Sequence, residues 1–337
     1  MKSIVTFDEF NEFDLKPSNL IKNYTKLVEK DVDIFILKDN CLRHNLCPGC
    51  LGKEISSTFT KFGLHYVECA ICRTLRISPR PNDAVLHRYY MESTARKFWR
   101  EDLSQMTKGK RKEKIVKPRY EWILDSTREY LPNASHILDV NTAQSIVVDE
   151  IASIEIFNRK TILDPFISLD SSQIPGIDVI YDPVYDSKFN DEVDVVTLFE
   201  VADRTSDVEV LFHKVHQMLK KDGLCFMTAI LISGFDLQVL WDKAENLFPP
   251  DRLNVFSVEG LNALFKRHGF KCLEFSTPGV LDVEITAAAL KEKPDLNLPR
   301  FIRYLIHNRK HEVRRAFQEF LQSSLLSSYA RILLQKL

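Results

Sequence analysis

"HILDV" at residues 136–140 is the first of six apolar runs in the second half of the chain. Near-continuous apolar runs of this kind are typical of strands buried on both faces of a sheet. The other five are KTILD (160–164), GIDVIYD (176–182), VDVVTLFEV (193–201), GLCFMTAIL (223–231) and KCLEFST (271–277). Helical patterns separate several of these runs, for example at 207–220 and 258–269. The alternation predicts a doubly wound α/β sheet, which binds ligands at the carboxyl ends of its strands where the strand order reverses.

Four of the chain's seven cysteines form two equally spaced pairs near its start. Cys47 and Cys50 make one pair, Cys69 and Cys72 make the other, and 18 residues separate the two pairs. This spacing is typical of structural zinc sites, in which two turns supply four thiolates to a tetrahedral ion. Free thiols and a redox pair are the alternatives. We predict a structural zinc ion, because four thiolates leave no open position for chemistry.

Composition narrows the class of protein. The 337 residues are 45% hydrophobic and carry a formal net charge of −1. They can bury a large core, and they exert no global attraction on nucleic acid or an anionic membrane. No apolar run is long enough to span a bilayer, and the acidic start MKSIVTFDEFNEFD differs from a secretory signal. We therefore expect a cytoplasmic protein, in which paired cysteines indicate a metal rather than disulfides.

Changes in pattern divide the chain into five predicted segments. They are a leader (1–40), the zinc-binding module (41–82), a helical linker or lid (83–132), a Rossmann-like domain (133–290) and a helical C-terminal segment (291–337). We expect the C-terminal segment to form one or two amphipathic helices that cover the sheet or pair with a partner.

A basic run, KGKRKEKIVKPR (108–119), interrupts the predicted lid. It contains seven basic residues and one acid. One interpretation is a solvated face. The other is a phosphate-binding patch in which Lys117 and Arg119 hold a diphosphate. Nucleic acid is a weaker third interpretation, because the chain as a whole is not basic.

Residues 41–337 resemble the class I S-adenosylmethionine-dependent methyltransferases that carry an N-terminal zinc-binding domain. That group includes sugar C-methyltransferases and enzymes of bacterial surface-polysaccharide biosynthesis. The resemblance rests on RISPRPN (76–82), KGKRKEKIVKPR (108–119), ILDVNTAQS (137–145), DVVTLFEVADR (194–204), MLKKDGLCFMTAI (218–230), the stretch 234–270 and STPGVLDVEI (276–285). It implies a seven-stranded methyltransferase sheet, S-adenosylmethionine as cofactor and a sugar or nucleotide-sugar substrate.

The resemblance also implies where the cofactor binds. In the family a glycine-rich loop follows the first strand of the sheet and lies against the methionine part of the cofactor. Here that loop has no glycine. The acid at the end of the second strand is expected to bind the ribose hydroxyls, although it is also an ordinary strand-end acid. The cofactor-binding candidates are Asp139, Asn141, Ala143, Ser145, Asp164 and Asp182.

The catalytic candidates follow from the fourth predicted strand. The family ends this strand with a Glu-His pair, and this chain has Asp203 and Arg204 there. Asp203 preserves an acid, whereas an arginine stays protonated and cannot act as a general base. Tyr89 and Tyr90, in the predicted lid, are further catalytic candidates, with core packing as the alternative.

Arg252 and Asn254 complete the candidates for substrate binding. Arg252 stands where the family tends to show histidine, and a guanidinium binds phosphate or carboxylate. Two hypotheses for function follow. The first is an active methyltransferase with an atypical cofactor loop, acting on a sugar-type small molecule. The second is a catalytically inactive relative that serves as a binding or scaffold subunit for a protein partner.

Overall fold

The computed structural model describes residues 17–38, 42–140, 151–152, 154–166 and 175–337. The strands in these residues are β1 (Leu42–Arg43), β2 (Ile55–Lys61), β3 (Leu64–Cys69), β4 (Leu75–Ile77), β5 (Arg80–Pro81), β6 (His136–Val140), β7 (Arg159–Leu163), β8 (Asp178–Ile180), β9 (Val193–Phe199), β10 (Leu219–Ile230), β11 (Asn254–Val255), β12 (Phe270–Ser276) and β13 (Tyr329–Lys336). The helices are α1 (Ser18–Val32), α2 (Asp83–Glu92), α3 (Thr94–Phe98), α4 (Ser104–Arg111), α5 (Lys117–Tyr130), α6 (Val208–Met218), α7 (Phe235–Leu240), α8 (Val258–Arg267), α9 (Asp282–Glu292), α10 (Arg300–Asn308) and α11 (His311–Ser323).

A seven-stranded sheet forms the centre of the protein, in the order β12-β13-β10-β9-β6-β7-β8. Five adjacent strands run parallel to one another: β10, β9, β6, β7 and β8. Strand β13 lies between β10 and β12 and is antiparallel to both. The chain runs outward from β6 to β7 and β8 and then returns to the other side of β6 as β9. This confirms the predicted Rossmann-like methyltransferase sheet. It also places a ligand-binding crevice at the carboxyl ends of β6 and β9.

All six apolar runs predicted as strands belong to this sheet. The C-terminal segment contains the helices α10 and α11, but its last part forms the seventh strand, β13. For that part the prediction of a helix is wrong. Strand β13 pairs along its length with both β10 and β12. Its side chains alternate between two cores, with Ile332 and Leu334 in one and Leu333 in the other. Tertiary pairing therefore overrides the helical preference of this leucine-rich stretch.

The N-terminal module shares its sheet and its core with the rest of the chain. Strands β2, β3 and β4 form an antiparallel sheet, and β11 extends it by pairing with β4. One hydrophobic cluster contains Val28 of α1, Tyr66 of β3, Leu237 of α7 and Val255 of β11. The predicted leader, the module and the sheet domain therefore share one hydrophobic core. Strand β11 also joins the module's sheet to the chain of the sheet domain.

Side-chain caps set the start of the helices around the carboxyl edge of the main sheet. The side chains of Asn82, Asp207 and Ser257 accept hydrogen bonds from the backbone N–H three residues ahead, at 2.9, 3.0 and 2.9 Å. Each cap satisfies an N–H that the first helical turn leaves without a partner. Helices α2, α6 and α8 are thereby fixed at their N-termini. Among the described helices, none is long and apolar enough to cross a membrane.

Candidate active site

A cavity of about 320 Å³ lies at the carboxyl ends of β6 and β7 and against the loop that follows β9, so it borders the point between β6 and β9 where the strand order reverses. Val140 and Leu163, the last residues of these strands, belong to its apolar wall. Phe166 and Val184 form part of an apolar wall. The polar side chains of the lining are Asp83, His87, Tyr90, Arg204, Thr205, Ser206 and Asp207, with Tyr185. A mainly apolar cavity with a few polar groups on one side is typical of a small-molecule site.

Helix α2 covers this cavity with a single face. Asp83, Leu86, His87 and Tyr90 line the cavity and recur at i, i+3, i+4 and i+7. This spacing places all four side chains on one side of a helix. Tyr90 was a candidate from the sequence, whereas His87, whose ring centroid lies 5.2 Å from that of Phe166, was not. The helical spacing around Tyr90 was the signal that pointed to His87.

The acids predicted to bind the cofactor occupy different environments. Asp164 is fully buried, and its carboxylate accepts a hydrogen bond from the backbone N–H of Phe166 at 2.8 Å. It therefore shapes the turn that brings Phe166 to the cavity. Asp182 is exposed and directly precedes Pro183, Val184 and Tyr185, which line the cavity.

Asp139 lies within the sheet rather than at its edge. The hydroxyl of Thr197 on β9 donates to its carboxylate. Burial raises the pKa of Asp139 to about 6, while that hydrogen bond and Arg119 oppose the rise. Asn141, Ala143 and Ser145, the other predicted cofactor residues, lie outside the described residues.

Beside the cavity, three arginines surround Glu200 at the end of β9. Nη2 of Arg252, Arg119 and Arg204 lies 2.7, 3.1 and 3.6 Å from the carboxylate of Glu200. Glu200 has a left-handed backbone conformation with φ of 57°, which is strained for a residue with a side chain. Burial favours a raised pKa for Glu200, but Arg252, Arg119 and Arg204 outweigh it and hold the pKa well below its usual range. We call Glu200, Asp203 and these three arginines the charge cluster.

Asp203 behaves differently from Glu200 within the charge cluster. Burial raises the pKa of Asp203 to about 7, Arg252 opposes this rise and the negative charge of Glu200 adds to it. Its Oδ2 accepts hydrogen bonds from Arg252 at 3.2 Å and from the backbone N–H of Ile230 at 3.1 Å. Its Oδ1 is buried and has no hydrogen-bond partner among the described residues. Asp203 is therefore the member of the cluster that exchanges a proton near neutral pH.

An ion pair between Asp251 and Arg96 of α3 lies next to the charge cluster. Arg96 donates to Asp251 at 3.0 Å, and the hydroxyl of Tyr24 donates to the same carboxylate oxygen at 3.2 Å. The guanidinium of Arg96 also lies 5.4 Å from the ring centroid of Tyr90. Arg96, Asp251 and Glu200 were not among the residues predicted from the sequence. Glu200 lies in the motif FEVADR (199–204), and Asp251 directly precedes Arg252, so the sequence carried a signal for these two.

The two tyrosines of α2 have different positions. Tyr90 lines the cavity, whereas Tyr89 is fully buried and packs edge-on against Phe35 at 6.2 Å. Neither hydroxyl has a hydrogen-bond partner within the part of the chain that the structure describes. Burial raises the pKa of Tyr90, and the negative charge of Asp251 raises it further, so the hydroxyl stays protonated. Tyr90 therefore offers a hydrogen-bond donor beside the cavity.

The remaining substrate-binding candidates lie in different places, one exposed and two buried. Lys117 is exposed, with its ammonium 4.0 Å from Glu121. Arg119 is buried in the charge cluster and also donates to the hydroxyl of Tyr329 at 3.1 Å. Asn254 is fully buried and donates to the carbonyls of Ala202 and Thr205 at 2.9 and 2.8 Å. Asn254 thus holds the loop that carries Asp203 and Arg204.

The four paired cysteines converge in the N-terminal module. Their Sγ atoms all lie within 4.8 Å of one another, with Cys47 and Cys72 at 3.4 Å and Cys50 and Cys69 at 3.5 Å. A tetrahedral ion with bonds of about 2.3 Å separates its sulfur ligands by about 3.8 Å. The two pairs also sit on equivalent turns, since the residue after each pair, Leu51 or Arg73, has a left-handed backbone. The donor set and its geometry fit zinc.

Helix α8 holds this cysteine site against the main domain. Arg267 donates to the carbonyls of Pro48 and Gly49 at 3.1 and 2.8 Å. A Cβ added at Gly49 would lie 2.7 Å from the Cα of Gly260, so glycine is required for the close approach. The cysteine site is therefore fixed to the same region that supplies β11 and Arg252.

Comparison with known proteins assigns the family. A family model described as a methyltransferase domain matches residues 95–274, which is more than half of the chain. The chain belongs to the class I S-adenosylmethionine-dependent methyltransferases. No curated protein sequence matches this methyltransferase.

Solved structures similar to this methyltransferase share little sequence with it. The YcgJ protein of Bacillus subtilis is 16% identical, with a TM-score of 0.41 over 64% of this chain and 98% of that one. An S-adenosylmethionine-dependent methyltransferase from Mesorhizobium loti is 15% identical, with a TM-score of 0.38 over 63% and 96% of the two chains. A sarcosine dimethylglycine methyltransferase from Galdieria sulphuraria is 15% identical, with a TM-score of 0.39 over 64% and 84%. The assignment to the family rests on the family model.

Proposed function

We propose that this protein transfers a methyl group from S-adenosylmethionine to a small molecule, with the adenosine part of the cofactor in the cavity beneath α2. The observation that carries this proposal is the position of the cavity, at the reversal of strand order in a methyltransferase sheet. Its apolar walls, Leu163, Phe166 and Val184, suit a flat aromatic base. Asp164 and Asp182 remain the proposed partners of the ribose and the base. The loop with Asn141, Ala143 and Ser145 remains the proposed site of the methionine part.

The acceptor that we propose is a sugar or a nucleotide-linked sugar. When bound, the cofactor supplies the methyl group, and the protein has to orient the acceptor and manage its proton. Arg204 lines the cavity and offers a positive charge to a phosphate, with Arg252 and Arg119 behind it. The protonated hydroxyl of Tyr90 donates a hydrogen bond to the acceptor.

Arg204 stays protonated and cannot act as a general base, so other groups have to transfer protons at this site. Asp203 exchanges a proton near neutrality, and His87 in the cavity wall supplies an imidazole, the commonest general base. We propose a cytoplasmic location, because free thiols persist in that reducing compartment. The methylated sugar would then serve polysaccharide biosynthesis.

Calorimetric titration with S-adenosylmethionine and S-adenosylhomocysteine tests the cofactor site. We expect the wild-type protein to bind with a dissociation constant in the micromolar range. Val184→Phe should weaken binding by about tenfold, because a larger ring enters the volume of the adenosine. The matched control, Ile71→Phe, changes an exposed residue of the N-terminal module and should bind as the wild type does. If the wild-type protein gives no heat of binding at millimolar ligand, the inactive scaffold becomes the better hypothesis.

We further propose that Cys47, Cys50, Cys69 and Cys72 hold one structural zinc ion. Cys47→Ser and Cys72→Ser should each lose the metal and lower the unfolding temperature, since zinc binding contributes to folding. Cys272→Ser removes a thiol outside the cluster and serves as the control. Elemental analysis gives the zinc content of each variant. Retention of one zinc per chain by both cluster variants would contradict the four-cysteine site.

A further inference from the structure

Helices α10 and α11 expose large apolar side chains on the C-terminal side of the protein. Phe301 is 62% exposed, Tyr304 48%, Val313 45% and Phe320 53%. Phe317 is partly buried between them. We call these five residues the C-terminal surface. Single exposed apolar residues are common, whereas a contiguous group of this kind marks an interaction site.

The C-terminal surface is continuous across the two helices. The ring of Phe317 lies 6.3 Å from that of Phe301 and 6.1 Å from that of Phe320. Val313, Phe317 and Phe320 recur at i, i+4 and i+7 and therefore share one face of α11. An adjacent face of each helix, about 100° around the axis, covers the core through Ile302, Leu305 and Leu321, which are buried. On the outer face Phe317 packs edge-on against Phe235 of α7 at 5.3 Å, whereas the other four members of the C-terminal surface are exposed.

Positive charge surrounds this apolar face. Residues 300–315 contain six arginines and lysines and one acid, Glu312, although the whole chain has a net charge of −1. Arg314 is paired with Glu284 at 3.3 Å. Arg300, Arg309 and Lys310 are exposed, and none is paired with a carboxylate among the described residues. A local excess of positive charge is therefore available to a partner.

The free positive charges lie beside the exposed rings. The guanidinium of Arg309 is 4.9 Å from the ring centroid of Tyr304. Arg300 is four residues before Tyr304, which places both side chains on one side of α10, and Lys310 directly precedes the first residue of α11. An apolar face with large exposed side chains, bordered by arginines and lysines, is typical of helices that lie in the interface of a membrane.

We propose that the C-terminal surface binds an anionic phospholipid membrane, with α10 and α11 lying flat on it. The exposed rings enter the boundary between headgroups and acyl chains, and Arg300, Arg309 and Lys310 pair with lipid phosphates. A second copy of the chain would bring like charges together, which is unfavourable. Nucleic acid would neutralise the charges and leave Phe301 and Phe320 exposed to water. The helices are too short to span a bilayer, so the contact is peripheral.

Sedimentation with lipid vesicles tests this proposal on the full chain. We expect binding to vesicles of phosphatidylglycerol and phosphatidylcholine in equal parts, weaker binding at high salt, and little binding to pure phosphatidylcholine. Equal binding to both kinds of vesicle, or no binding to the anionic ones at low salt, would overturn the proposal.

Two double variants separate the contributions of charge and rings. Arg309→Glu/Lys310→Glu should weaken binding to the anionic vesicles by at least about tenfold. Phe301→Ser/Phe320→Ser should weaken it by about tenfold through loss of apolar contact. The control Lys221→Glu/Lys271→Glu makes the same change of charge at exposed positions elsewhere and should bind normally.

Two further measurements make each result decisive. Circular dichroism and the unfolding temperature establish that the variants are folded, since all the changes are at exposed positions. Sedimentation velocity without lipid provides the competing readout. A dimer that the Phe301→Ser/Phe320→Ser variant abolishes would assign the surface to a second copy and overturn the membrane proposal.

Discussion

The carboxyl edge of the main sheet has two unlike halves. At β6 and β7 the edge opens into a cavity with apolar walls such as Leu163 and Phe166. At β9 it is filled by the charge cluster around Glu200. In the proposed function, one half holds the flat base of the cofactor and the other orients a polar acceptor. The difference shows that one sheet edge can carry two unlike environments when loops of different character follow neighbouring strands.

The largest effect that we expect comes from removing the central acid of the charged half. Glu200→Gln leaves three neighbouring arginines without their shared counter-charge and keeps the size and backbone of the residue. We expect a loss of about 3 kcal/mol in the free energy of unfolding. Urea denaturation at neutral pH measures it.

A matched change on a more exposed acid provides the control. Glu209→Gln also removes a carboxylate that is paired with an arginine, Arg267, but its side chain is 39% exposed. We expect a cost below about 1 kcal/mol there, because water screens the pair. Equal effects of the two substitutions would show that the charge cluster is solvated and that the two halves of the edge differ less than described.

A smaller, pH-dependent effect should come from Asp203. Its pKa rises from 3.8 to about 7 on folding. The folded state therefore holds the proton more tightly than the unfolded state, and this contribution to stability is lost as pH rises from about 4 through about 7. The Asp203→Asn variant does not lose this stability as pH rises, because asparagine does not titrate. Relative to the wild type, its free energy of unfolding should rise by up to about 1.4 kcal/mol for each pH unit between about pH 4 and pH 7.

Urea denaturation of both proteins across this pH range measures the difference. Asp295→Asn, an exposed substitution that changes the net charge equally, should follow the wild-type profile. A constant difference between the Asp203→Asn variant and the wild type would mean that Asp203 is ionised throughout and that the charged half holds no exchangeable proton.

The smallest effects should separate two tyrosines near Asp251. Tyr24 donates a hydrogen bond to Asp251, whereas the buried hydroxyl of Tyr90 has no partner among the described residues. Tyr24→Phe should cost about 1 kcal/mol of unfolding free energy, and Tyr90→Phe should cost nothing or stabilise slightly. Thermal unfolding compares the two variants directly. A cost for Tyr90→Phe as large as that for Tyr24→Phe would show that the Tyr90 hydroxyl is already bound and is not reserved for a ligand.

Regular patterns made the strands of the sheet and the convergence of the cysteines predictable. The runs HILDV and VDVVTLFEV became β6 and β9 with little change in their bounds, since buried parallel strands need continuous apolar residues. Strand β13 was missed because its residues suit a helix equally well, and only its two neighbours in the sheet decide otherwise. His87 was missed although its helical spacing with Tyr90 is visible in the sequence.

The sequence by itself determined which chemical groups are present and which local elements carry them: the cysteine pairs at 47–50 and 69–72, the apolar strands, and arginines where the family tends to have histidine. Only the tertiary structure decided the partners of those arginines. Arg119 and Arg252 meet Glu200 from 81 and 52 residues away, and Asn254 holds the loop of Asp203 from β11. The physical reason is that charge pairing depends on distance in space and on exclusion of water, and a linear pattern records neither.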